Sequence, residues 1–134
     1  MNAVDAGGVC PVNLGPRGIS QRRMLGIAAF VLGALVALGL AFAGAPRVFR
    51  AMTFAPFWLG ALGLFQAQAK TCVSLASRGL RDFDDGTGPV EVADAAEDRA
   101  LRAQARRVHR KALLLAIVLT GAAFLLPGGP PPSP

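Results

Sequence analysis

Two cysteines and one histidine are the side chains of this 134-residue sequence best suited to nucleophile or soft-ligand chemistry. Cys10 follows "AGGV", Cys72 closes the stretch "FQAQAKTC", and His109 lies in "RRVHRK". Two thiols on one membrane face could form a redox or sulfur-relay pair, and with an imidazole they could hold a metal. A closed zinc site, however, wants four ligands with local pairs such as C-x-x-C, and the sequence has no such pair. Any Ser-His-Asp or Cys-His scheme would have to run through His109, which is surrounded by arginines. Asp82, Asp84, Asp85 and Gly86 suggest calcium, but their spacing misses the EF-hand loop and no glutamate closes it. The glycines of "GTG" and "PGGP" follow no strand and open no phosphate-binding helix. The residues thus point to no catalytic group, no metal and no cofactor. Cys72, alone or with Cys10, remains the candidate of a second, thiol-based reading.

The elements that must carry these residues are apolar. Hydrophobic residues make up 53% of the chain and charged residues 16%, and the apolar ones come in blocks. Met24–Ala43 carries no charge, and at 1.5 Å per residue it covers about 30 Å, the thickness of a bilayer core. Met52–Ala69 and Ala112–Leu126 are also uncharged, the last being the shortest. A secretory signal would begin with a basic stretch near its start, whereas Asp5 and no Lys or Arg precede Arg17, so the first block reads as a retained span. The expected fold is all-α: an integral membrane domain of three transmembrane helices over 21–126, an antiparallel hairpin joined by "GAPRVFR" plus a third span.

Charge sets the expected orientation. The formal net charge is +6. Arg17, Arg22 and Arg23 precede the first span; Arg47 and Arg50 lie between the first two; the nine other basic residues lie between the second and third. This asymmetry predicts a cytoplasmic N-terminus and an external C-terminus, as in an inner-membrane protein. Arg102, Arg106, Arg107, Arg110 and Lys111 then face anionic lipid headgroups, so lipid accounts for the basicity without nucleic acid. The spans hold no Asp, Glu, Lys, Arg or His, which argues against ion-coupled transport through buried charge.

Around the spans, 1–20 reads as a flexible tail and 127–134 as a Pro/Gly-rich one, with 70–111 as the cytoplasmic segment. The second helix is expected to continue to Leu80 with Gly79 as its terminator. That places Gln68 and Cys72 on one helix face and Gln66 and Lys70 on another. Helix is expected again from Glu91, running unbroken into the third span, with Asp98 and Arg102 paired at i,i+4. Trp58, Phe54 and Phe57 suit the outer interface. Small residues recur every four positions and mark expected packing faces within the domain or of a homo-oligomer: Ala29, Gly33, Ala37 and Ala41; Gly63, Ala67 and Thr71; Ala112, Ala116 and Thr120.

From "QRRMLG" through "LGALGLFQAQAKTCVSLASRG" the chain resembles the small transmembrane domain of rhodanese-type membrane sulfurtransferases and of stand-alone bacterial proteins. Arg22, Arg23, Gly26, Gly63 and Cys72 carry the match, and Val73 stands where that family has proline. The resemblance implies a helical membrane hairpin and no defined activity. The expected role is a non-enzymatic accessory or scaffold component of a membrane complex. The alternatives are a thiol relay and a lipid-surface-sensing regulator acting through the Arg-rich helix.

Overall fold

A computed structural model describes residues 12–128; Cys10 and the two terminal tails beyond these limits lie outside them. The described chain is helical. In order it forms α1 (Pro16–Phe42), a 3-10 helix (Arg47–Thr53), α2 (Phe54–Ala69), α3 (Val73–Ser77), β1 (Leu80–Arg81), β2 (Val90–Glu91) and α4 (Ala95–Leu125). Three stretches are long and apolar enough to cross a membrane: Pro16–Phe42, Arg47–Ala69 and Ala95–Leu125.

The helix α1 starts eight residues before its apolar block, and 12–20 is not a free tail. Pro16 occupies the first turn, where its missing N–H costs nothing. The cap comes from far away: Asp84 Oδ2 accepts from the N–H groups of Arg17 (2.8 Å) and Gly18 (3.3 Å). A carboxylate at this end also complements the helix dipole. Asp84 holds a left-handed φ of 60°, which aspartate tolerates better than most residues.

The central helix, α2, lies between α1 and α4. Its contact with α1 runs backbone to backbone. A Cβ on Gly63 would stand 2.7 Å from the Arg22 carbonyl oxygen and 2.9 Å from Gly26 Cα; one on Gly26 would meet the Gly60 oxygen at 2.9 Å. In lipid such close approach replaces the hydrophobic drive as the source of helix association. Higher up, Phe57 packs into the space left by Gly33, its ring 6.3 Å from that of Phe30. Phe57 is therefore buried between helices rather than placed at the outer interface.

The second helix does not continue to Leu80. Lys70 adopts a left-handed conformation with φ 52°, and the N–H groups of Lys70 and Thr71 fold back onto the carbonyls of Ala67 and Gln66. Cys72 is extended, and Gln66 Oε1 accepts from Val73 N–H at 3.0 Å to start α3. Gln68 and Cys72 therefore share no helix face, and Thr71 belongs to a turn rather than to a packing stripe. Gly79, with φ 68°, does end the short α3.

Glu91 is a strand residue, so the last helix begins later than its acidic residues suggest. Leu80 pairs with Glu91 and Arg81 with Val90, antiparallel. Between them Asp85 accepts from the hydroxyl and the N–H of Thr87, and these bonds hold its carboxyl below the usual range. The helix α4 then starts with Asp94 as cap, its Oδ1 accepting from Ala96 N–H at 3.0 Å. It runs 31 residues without a break, about 46 Å. Its basic half and its apolar half are thus one rod, as the sequence implies, and Asp98 pairs with Arg102 at 3.0 Å.

Candidate functional site at the basic end of the helices

Cys72 sits where the α2–α3 turn, the N-terminal segment and the small hairpin meet. The organiser is Asn13, fully buried and 59 residues away in sequence. Its Oδ1 accepts from Cys72 N–H at 2.7 Å, and its Nδ2 donates to the carbonyls of Cys72 (3.3 Å) and Leu80 (3.2 Å). The backbone repeats the clamp: Asn13 and Leu14 N–H both donate to the Lys70 carbonyl, and Asp82 N–H donates to the Asn13 carbonyl. Leu14, Cys72 and Leu75 form a small apolar core beside it, with Ile19 and Leu80 packed on.

The thiol is 2% exposed, and Arg22 Nη2 donates to its sulfur at 3.2 Å. A cavity of about 230 Å³ opens alongside, lined by Arg22, Cys72, Arg78, Asp82 and Asp84 among others. Thiol chemistry needs a reagent to reach the sulfur. Here both backbone groups of Cys72 are satisfied and its side chain is enclosed.

His109 does not join Cys72. Its ring meets Trp58 edge-on at 5.9 Å, so Trp58 packs against α4 instead of an outer interface. Among the described residues no group of three His, Cys, Asp or Glu side chains is arranged to hold a metal ion.

The expected packing residues divide. Gly33, Ala37, Gly63, Ala67, Ala112 and Ala116 are buried between helices of this chain; Ala29, Ala41 and Thr120 are half-buried. Gly26 and Gly60, outside the four-residue stripes, make contacts almost as close as those of Gly33 and Gly63. The arginines of α4 divide too. Arg102 donates to Asp98 and to the Ser77 carbonyl, while Arg106 and Arg110 flank a groove against α3. Arg107 and Lys111 lie on another side of α4, facing Gln68 of α2 across a smaller cavity.

Sequence reasoning missed Arg50, treated there only as an external charge. It is fully buried, and its Nη1 donates to the carbonyls of Ala123 (3.0 Å), Phe124 (3.4 Å) and Leu126, closing the C-terminus of α4. A guanidinium there satisfies orphan carbonyls and opposes the negative end of the dipole. Its other two nitrogens, Nε and Nη2, have no partner among the described residues.

No family model, curated protein or solved structure matches the chain. The architecture alone defines the class: a helical protein with, among the described residues, three segments long and apolar enough to cross a membrane.

Proposed function

We propose that this protein is a non-enzymatic accessory or scaffold component of a membrane complex, with its basic end on the cytoplasmic side of a bacterial-type inner membrane. The carrying observation is how the polar groups are used. Asn13, Gln66, Arg22 and Asp84 bind the chain's own backbone or sulfur, and the thiol beside the cavity that Arg22 and Asp84 border is itself enclosed. The outer faces support the same reading. Only 22% of the spanning window of α1 is buried, against 33% for the central helix. Leu25, Leu32 and Leu35 of α1 are more than half exposed. A photo-crosslinker at Leu32 or Leu35 should give one discrete protein adduct in intact membranes, and one at buried Ala37 should give none. Lipid adducts alone at Leu32 and Leu35 would refute the scaffold role.

The runner-up is a thiol relay through Cys72, alone or with Cys10. Arg22 on the sulfur and the resemblance to sulfurtransferase-associated membrane domains favour it. It requires the enclosed sulfur to open, so native Cys72 should react with a small alkylating reagent nearly as fast as free cysteine. Protection by two or more orders of magnitude would remove this reading.

A further inference from the structure

Arg106 and Arg110 are one helical turn apart on α4 and exposed, and neither has an acidic partner among the described residues. The nearby acids are already engaged: Asp98 with Arg102 and Glu97 with Arg81. Between α4 and α3 these two arginines border a groove of about 460 Å³, a size typical of small-ligand sites. Its apolar lining is Val73, Ala105 and Leu113. Leu113 belongs to the uncharged block that begins at Ala112, and Arg110 and Lys111 are the last charges before it. The groove therefore has a cationic lip at the headgroup level and an apolar floor that leads into the hydrocarbon.

We propose that this groove binds one anionic phospholipid. Its phosphate lies between Arg106 and Arg110, and the start of an acyl chain runs over Ala105 and Leu113. A soluble anion would leave the apolar floor uncovered, and a zwitterionic lipid would leave the surplus charge of the two arginines unanswered. The inference rests on α4 crossing the membrane and is independent of any partner for α1, so the crosslinking outcome above does not bear on it.

The test is a titration of the full chain in mild detergent with phosphatidylglycerol, phosphatidylcholine and glycerol phosphate, with bound lipid counted by native mass spectrometry. Phosphatidylglycerol should bind as a single tight equivalent and phosphatidylcholine more weakly. A cation beside an anionic headgroup counts for roughly fivefold in affinity, so the Arg106→Gln/Arg110→Gln variant should bind phosphatidylglycerol about 25-fold more weakly. Arg23→Gln/Arg99→Gln, equal in charge and outside the groove, should leave it unchanged. Equal binding of the two lipids, equal loss in both double variants, or displacement by equimolar glycerol phosphate would each overturn the proposal. Far-UV circular dichroism confirms that both variants keep their helix.

Discussion

Truncating Asn13 to alanine removes three side-chain hydrogen bonds at once and leaves the buried Cys72 N–H without a partner. An unsatisfied buried group costs about 1–3 kcal/mol, so the variant should lose roughly 2–3 kcal/mol. The loss should be local. Proteolysis between 70 and 92 should accelerate, and alkylation of Cys72 should rise at least tenfold while the spanning helices stay intact. Arg50 has the same character at the other end. Arg50→Ala strips the cap from three carbonyls and should destabilise by about 2–3 kcal/mol, read as faster amide exchange in the last two turns of α4. Arg50→Lys keeps the charge and three donors, but its ammonium ends one bond short of the Nη1 position that reaches the three carbonyls, so it should recover only part of the loss. Neither residue announced itself in the sequence. An asparagine in a Gly/Pro-containing tail and an arginine in a short interhelical loop have innocent local readings, and their partners lie 59 and more than 70 positions away.

The spans were legible at the scale of elements because an uncharged block long enough for the bilayer admits few other solutions. The continuity of α4 was legible too, since acid, then base, then apolar residues follow one another with no breaker between them. What failed was local. Lys70 ends α2 in a left-handed turn that glycine usually supplies, and this happens because Gln66, Asn13 and Leu14 all bond the chain around it. The helix contact was also only half legible: a four-residue stripe found Gly63 but passed over Gly26 and Gly60. The distinction has a measurable consequence. Gly63→Ala drives a methyl into the Arg22 carbonyl and Gly26, so α1 and α2 must separate, at about 1–3 kcal/mol. Gly121→Ala meets nothing within 4 Å and should be neutral or stabilising by up to about 1 kcal/mol. Unfolding titrations of the two variants in mixed micelles should separate in opposite directions, although both put alanine into an apolar helix.

Across the whole molecule the two ends differ in what their charges do. At one end Arg17, Arg23, Arg99, Arg106, Arg107 and Arg110 are exposed; at the other Arg50 is fully buried, which leaves Arg47 as the only exposed basic residue of the interspan loop. A guanidinium committed to three carbonyls is a structural group of the folded chain. The count of twelve basic residues at one end against two in the interspan loop argues for the basic end remaining in the cytoplasm. A fluorescent protein that matures only in the cytoplasm should then glow when fused before residue 1 and stay dark when fused after residue 134. Two lysines inserted beside Arg47 should not reverse this, because twelve exposed or half-buried basic residues would still oppose them at the other end. A fluorescent C-terminal fusion in the unmodified chain would invert the topology and place the Arg106–Arg110 groove against the outer leaflet. The phospholipid proposed for it would then have to come from that side, whereas Asn13, Cys72 and Arg50 would keep the same partners, since their bonds lie within the chain.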